Sequence, residues 1–165
     1  MTWLITRLIC HNARKITGSL ELTEMPVIKS DSLLKLELAE NKIHTIKEGS
    51  FLPKLDSLNL DDNHLTNGGI SFGAFDGIGS LRTLTLNKND LSAFPAGLPS
   101  SLNTLHLEEN KITEFPIESV QHLSQLRELQ IQRNKVNDQV CPKSESNRLK
   151  SSSYNNRIRS IIPNS

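Results

Sequence analysis

Two adjacent pairs of acidic residues could supply oxygen ligands to a cation. Asp61 and Asp62 form one pair, and Glu108 and Glu109 form the other; carboxylates are ligands that Ca²⁺ and Mg²⁺ prefer. Neighbouring residues on a strand, however, point to opposite faces unless the chain is already turning. Lys88, which lies between the two pairs along the chain, would also repel a cation. The sequence therefore predicts no metal site.

The histidines do not have the spacing of a catalytic or metal-binding motif. They are His11, His44, His64, His106 and His122. The chain also lacks the P-loop, G-x-G-x-x-G, H-E-x-x-H and a paired C-x-x-C. We therefore expect a protein that is not an enzyme and that uses no cofactor.

An eleven-residue pattern, L-x-x-L-x-L-x-x-N-x-[LIV], occurs five times, with Ile131 in place of the second inner leucine in the last copy, and it determines the elements that carry these residues. Its copies begin at Leu33, Leu55, Leu81, Leu102 and Leu126. Such a repeat predicts a leucine-rich repeat solenoid, with a curved parallel β-sheet on the concave side and irregular or short helical segments on the convex side. In each copy the leucines at positions four and six point inward from a short strand, because side chains alternate along a strand.

The Asn at position nine lies where the chain leaves the strand and turns. Its side-chain amide can bond backbone groups that the turn leaves unpaired. Since the residue recurs in one register, the pattern predicts a buried structural Asn ladder and not a catalytic set. The ladder consists of Asn41, Asn63, Asn89, Asn110 and Asn134.

The outward positions three, five, seven and eight predict a concave binding face, which is the usual binding surface of a solenoid. The candidate ligand-binding residues on it are Glu37, Glu40, Asn59, Asp61, Asp62, Thr85, Asn87, Lys88, His106, Glu108, Glu109, Gln130 and Arg133. The acidic members make the face suited to Arg or Lys side chains of an extended protein partner. The alternative is that these are ordinary solvated residues of a sheet, since charged outward faces are normal.

The return segments between the motifs differ in length, with intervals of 22, 26, 21 and 24 residues between motif starts. Residues 94–101 contain Pro95 and Pro99, and these two prolines predict an extended and not a helical segment. Apolar residues in the returns are expected to close the convex side of the core. They are Ile46, Phe51, Ile70, Phe75, Phe94, Leu98, Phe115, Val120 and Leu123.

The irregular intervals, the L-P-S-S-L-x-x-L-H-L-x-x-N-K-I stretch at 98–112 and the tract at 63–75 resemble the small leucine-rich proteoglycans and their relatives. That group includes decorin, lumican, podocan and extracellular matrix protein two, and the resemblance covers about residues 31–136. It implies a secreted extracellular matrix protein whose concave face binds other matrix proteins, with collagen and heparin-like chains as ligands.

The chain departs from that family at both ends. The cysteine clusters that cap such proteins are reduced to Cys10 and Cys141, and neither an N-x-[ST] sequon nor a Ser-Gly dipeptide occurs. Five stacked strands separate the two cysteines by about 20 Å, whereas bridged Cα atoms lie within about 7 Å. We therefore expect no disulfide between them. Each is either the remnant of a capping disulfide or a reduced thiol.

The domain prediction has three parts. Residues 1–30 form a degenerate N-terminal segment in which Leu4, Ile9 and Asn12 fit a vestigial repeat but Arg7 breaks it. Residues 31–136 hold the five repeats, and residues 137–165 hold a degenerate sixth repeat and a basic tail with five basic and two acidic groups over 136–165. The solenoid is therefore expected to be uncapped or partly capped.

Composition bounds the remaining function classes. A chain of 165 residues with 36% hydrophobic and 22% charged residues fits one globular domain. No apolar run reaches the roughly 20 residues of a membrane-spanning helix, and the opening MTWLITRLIC is not expected to act as a signal peptide. The basic tail lacks interleaved aromatic residues, which argues against nucleic-acid binding.

Three hypotheses follow from the sequence. The first is an extracellular matrix module that binds a collagen-like or other extended protein, and also glycosaminoglycan, without membrane insertion. The second is a cytoplasmic leucine-rich scaffold that binds a signalling protein, which is consistent with free thiols. The third is a fragment of a leucine-rich repeat receptor ectodomain.

Overall fold

Within the part of the chain that the structure describes, the fold is a single parallel β-sheet of six three-residue strands. The computed structural model describes residues 15–17, 21–26, 28, 30, 32–50, 53–114 and 117–136. The strands are β1 (Lys15–Thr17), β2 (Lys35–Glu37), β3 (Ser57–Asn59), β4 (Thr83–Thr85), β5 (Thr104–His106) and β6 (Glu128–Gln130). They lie in chain order, and every neighbouring pair is parallel. The predicted leucine-rich repeat solenoid is therefore confirmed.

The central residue of strands β2 to β6 is a buried leucine. Position-four residues Leu36, Leu58, Leu84, Leu105 and Leu129 are each at most 2% exposed. Their two neighbours on each strand point away from the core, and all of these except Lys35 are half-buried. The leucines are in register across the sheet, so successive repeats stack one continuous apolar core.

Among the described residues, the convex side consists of irregular turns, one 3-10 helix (Asn67–Gly69) and one short α-helix, α1 (Ile117–His122). Ile46 and Phe75 are almost fully buried there, and Phe94 and Leu98 also lie in the core. Phe72 differs, because its side chain is 93% exposed. The predicted core residues Phe51 and Phe115 lie outside the described residues. Within the described part of the chain, no helix has the length and apolarity needed to cross a membrane.

The asparagine ladder links each repeat to the one before it. Each Oδ1 accepts a backbone N–H from the preceding repeat, as Asn89 does from Leu65 at 3.0 Å. Each Nδ2 donates to backbone carbonyls, which for Asn89 are those of Leu60, Leu86 and Asn87. Four of the ladder residues are at most 6% exposed, whereas Asn134 is half-buried. These amides satisfy backbone groups that the strand ends leave unpaired.

The residue before each ladder asparagine has a left-handed backbone. The φ angles at this position lie between 53° and 57°, although none of the residues is glycine. They are Glu40, Asp62, Lys88, Glu109 and Arg133. The chain is thus already turning at position eight, so adjacent acidic residues such as Asp61 and Asp62 do not follow simple strand alternation.

The N-terminal segment contributes a strand that the repeat pattern does not predict. Strand β1 pairs with β2 from Lys15 to Thr17, and the backbone N–H of Leu22 donates to Asn41. Leu22 is 6% exposed and belongs to the core. The vestigial-repeat residues Leu4, Arg7, Ile9 and Asn12 lie outside the described residues. The same is true of Cys10, Cys141 and the basic tail.

Candidate protein-binding face

The candidate binding residues of the concave face fall in three columns of side chains that run across the stacked strands. Position five carries Glu37, Asn59, Thr85, His106 and Gln130, which are direct neighbours in the sheet register. Position seven carries Ala39, Asp61, Asn87, Glu108 and Gln132, and position eight carries the left-handed residues named above. All members of the first two columns are half-buried. The structure therefore brings the predicted binding residues together on one surface.

The first three residues of the position-five column are hydrogen-bonded from strand to strand. Nδ2 of Asn59 donates to Oε2 of Glu37 at 2.9 Å, and Oγ1 of Thr85 donates to Oδ1 of Asn59 at 2.9 Å. The same Oδ1 accepts the backbone N–H of Asp61 at 2.9 Å. These bonds fix three side chains of the face before any partner arrives, which lowers the entropic cost of binding.

The position-seven column also bonds the backbone of the next repeat. Oδ1 of Asp61 accepts the backbone N–H of Asn87 at 2.7 Å, and Oδ1 of Asn87 accepts the backbone N–H of Glu108 at 2.7 Å. Oδ2 of Asp61 also accepts from Nδ2 of Asn87 at 3.3 Å. Asp61 and Asn87 therefore hold the stack together as well as lining the face, a role that the repeat pattern alone does not reveal.

The basic residues of position eight are paired with acidic residues of the preceding repeat. Nζ of Lys88 lies 4.0 Å from Oδ2 of Asp62, and the Arg133 guanidinium forms an ion pair with Glu109. The Lys88, Asp62 and Arg133 side chains are more than half exposed, so we expect these pairs to contribute little to stability.

His106 lies in the position-five column between Thr85 and Gln130. Its Nε2 is buried without a hydrogen-bond partner among the described residues and lies 3.8 Å from Oε1 of Glu128. That carboxylate oxygen accepts from Nε2 of Gln130 at 2.8 Å. The separation is too long for a hydrogen bond, and the two groups form an ion pair only when the imidazole is protonated.

The carboxylates of Asp61 and Glu108 remain without a cationic partner among the described residues. They lie on either side of Asn87, two strands apart, which is about 10 Å in a parallel sheet. No group of three or more His, Cys, Asp or Glu side chains that could hold a metal ion occurs within the described ranges. The face can therefore attract cationic side chains electrostatically.

A second concavity lies on the opposite, convex side. Its volume is about 840 Å³, and Phe75, Phe94, Pro95, Leu98 and Leu123 are among the residues that line it. It forms where the 21-residue repeat, with its proline-bounded return, lies between two longer repeats. It shares no residue with the concave columns, so the two surfaces are independent.

Comparisons with known proteins agree with this architecture. Two models of the leucine-rich repeat match the chain, one over residues 31–91 and one over residues 101–123. Biglycan from Xenopus laevis is 38% identical over 115 residues, 68% of this chain. Podocan-like protein 1 from Homo sapiens is 35% identical over 81% of this chain, and lumican from Gallus gallus is 36% identical over 73%.

The chain spans only part of each of these relatives, namely 31% of biglycan, 27% of podocan-like protein 1 and 36% of lumican. Among solved structures, a chain in the octameric complex of Latrophilin 3 (Lec, Olf), Unc5D (Ig, Ig2, TSP1) and FLRT2 (LRR) superimposes with a TM-score of 0.70 and 36% identity. The match covers 75% of this chain and 40% of that one.

Proposed function

Because the chain belongs to the leucine-rich repeat proteins and is related to the small leucine-rich proteoglycans, we propose that its concave sheet is the protein-binding surface of an extracellular matrix module. The partner is an extended protein segment that presents Arg or Lys side chains, as a collagen-like triple helix does. An extracellular location is part of the proposal and rests on the same relationship.

One observation carries this proposal: Asp61 and Glu108 present two carboxylates that have no cationic partner among the described residues, and hydrogen bonds already hold the Asp61 carboxylate and the Glu108 backbone in place. Asp61 is held by two hydrogen bonds to Asn87, and Asn87 in turn positions the backbone of Glu108. A partner with two cationic side chains roughly 10 Å apart, the separation of alternate strands, would meet both carboxylates. Fixed charges of this kind give specificity and fast association.

The same charges argue against a heparin-like chain on this face. A sulfated polysaccharide is a polyanion, and the central carboxylates would repel it. If the protein binds glycosaminoglycan, we expect the basic residues between 143 and 159 to supply the contact; these lie outside the described residues.

A second candidate function is that of a receptor-type recognition domain at a cell surface. The match to a chain from the complex of Latrophilin 3, Unc5D and FLRT2 favours it, since that assembly contains an LRR part. The same concave face would serve, but the partner would be a folded domain and not an extended segment. Binding to a triple-helical peptide separates the two candidates.

The double substitution Asp61→Asn and Glu108→Gln is expected to weaken binding to an Arg-containing triple-helical collagen peptide by roughly tenfold. Asn at position 61 keeps an Oδ1 that can accept the Asn87 N–H, so the fold is retained while the charge is removed. The measurement is a Kd by surface plasmon resonance at low and high salt, with circular dichroism as the check on folding.

The matched control is Glu48→Gln with Asp76→Asn, which changes the net charge equally at exposed convex residues. We expect the control to bind like the unmodified chain. Equal Kd values for both double variants would refute the concave site. Binding that is lost only when residues 143–159 are removed would place the contact in the tail instead.

A further inference from the structure

Asn67 and Gly68 form the only Asn-Gly step in the chain, and they lie at the start of the convex 3-10 helix. The Asn67 side chain spans two repeats. Its Oδ1 accepts the backbone N–H groups of Ser92 at 2.8 Å and Ala93 at 2.9 Å, and its Nδ2 donates to the Ala93 carbonyl at 2.8 Å. We call this set of three bonds the clasp.

We propose that Asn67 is a site of spontaneous deamidation, with water as the co-reactant, and that opening of the clasp controls its rate. The backbone nitrogen of Gly68 loses its proton and attacks Cγ of Asn67, and ammonia leaves from Cγ. The resulting five-membered imide then adds water at one of its two carbonyls. Ring opening leaves either aspartate or isoaspartate at position 67.

Gly68 offers little resistance to this attack. It has no side chain to crowd its own nitrogen, the residue is exposed, and a Cβ built there would have no heavy atom within 4 Å. Every other asparagine in the chain is followed by a residue with a side chain, which crowds the corresponding nitrogen. The reaction is therefore expected to be fastest at this step among the asparagines of the chain.

The folded clasp opposes the reaction in two ways. It holds the Asn67 amide against Ser92 and Ala93, away from its own backbone. The 3-10 helix also fixes ψ of Asn67 near helical values, whereas ring closure needs the following nitrogen to rotate toward Cγ. Deamidation consequently requires local opening of residues 66–70 and not unfolding of the whole solenoid.

The products cannot restore the native contacts. Aspartate at position 67 still accepts from Ser92 and Ala93, but it places a carboxylate oxygen against the Ala93 carbonyl in place of the Nδ2 donor. Isoaspartate adds a methylene to the backbone of the turn. Gly69 cannot absorb that shift, because its Cβ position lies 2.0 Å from the His44 carbonyl oxygen and its own carbonyl accepts from Ile46.

The experiment follows conversion of the full chain at mildly alkaline pH, natively and across a urea series, by peptide mass spectrometry that resolves the mass increase at each asparagine. We expect conversion at Asn67, no conversion at Asn103, and a native rate roughly tenfold or more below that of the denatured chain. The native rate should depend only weakly on low urea, as local opening does. The variant Gly68→Ala should suppress the reaction in both states.

Three results would overturn the proposal: a native rate equal to the denatured rate, a native rate that follows global unfolding in urea, or conversion that Gly68→Ala does not slow.

The effect of the product on stability can be measured separately. Asn67→Asp should lower Tm by roughly 2 to 8 °C, while Asn103→Asp, whose Nδ2 makes one exposed bond to Gln125, should shift it less. An unchanged Tm for Asn67→Asp would show that the clasp does not stabilise the stack.

Discussion

Asn89→Ala is expected to lower the free energy of unfolding by about 1 to 3 kcal/mol. The Asn89 side chain is 5% exposed and makes four hydrogen bonds to backbone groups: it accepts from Leu65 N–H and donates to the carbonyls of Leu60, Leu86 and Asn87. Alanine would leave these groups without that partner where water cannot easily replace it. Urea denaturation monitored by circular dichroism measures the difference.

Asn134→Ala is the matched comparison within the same ladder. Asn134 makes equivalent bonds to Ile112, Leu107, Ile131 and Gln132, but it is half-buried at the end of the described repeats. Water can therefore reach part of its site, and we expect a smaller loss of stability than at Asn89. Equal losses at both residues would mean that burial does not set the energy of the ladder, and an unchanged Tm for Asn89→Ala would reject its buried role.

The ladder and the strands could be predicted because a repeated pattern fixes both burial and register. Leu36, Leu58 and Leu84 align across the sheet as the pattern requires. The residues on either side of each leucine along its strand face outward on the concave side. Periodicity is a reliable signal here because every repeat must bury the same positions to stack on its neighbour.

Other features leave no comparable signal. Strand β1 has neither the repeated leucines nor the turn asparagine, and its place depends on pairing with β2. The left-handed position eight is occupied by Glu40, Lys88 and Arg133 among others, which are not residues that favour positive φ. The surrounding turn, held by neighbouring repeats, imposes that conformation.

The double role of position seven is only partly visible in the sequence. Asp61 and Asn87 are short side chains with an acceptor oxygen two residues before the ladder asparagine, and this shared property could have revealed their bonds to the next backbone. Ala39 and Gln132 at the same position break the pattern. The distances from the side-chain oxygens to the backbone nitrogens of the next repeat are therefore needed to decide which acidic residues are structural.

Gly69→Ala is expected to destabilise the protein by about 1 to 3 kcal/mol or more, the range for forcing an added methyl group into a packed site. A Cβ at Gly69 would lie 2.0 Å from the His44 carbonyl oxygen and 3.2 Å from its carbonyl carbon. Both are backbone atoms and cannot rotate away. The conflict also involves the Ile46 N–H, which donates to the Gly69 carbonyl at 2.8 Å and joins the two repeats.

Gly68→Ala adds the same methyl group one residue earlier, where no heavy atom lies within 4 Å of the new Cβ. Both glycines belong to the same 3-10 helix, so helix propensity and unfolded-state entropy change in nearly the same way in the two variants. The difference between their unfolding free energies therefore measures the cost of the clash between the Gly69→Ala methyl group and the His44 backbone. We expect Gly68→Ala to be neutral or slightly stabilising, and two variants of equal stability would show that the convex turn moves aside without cost.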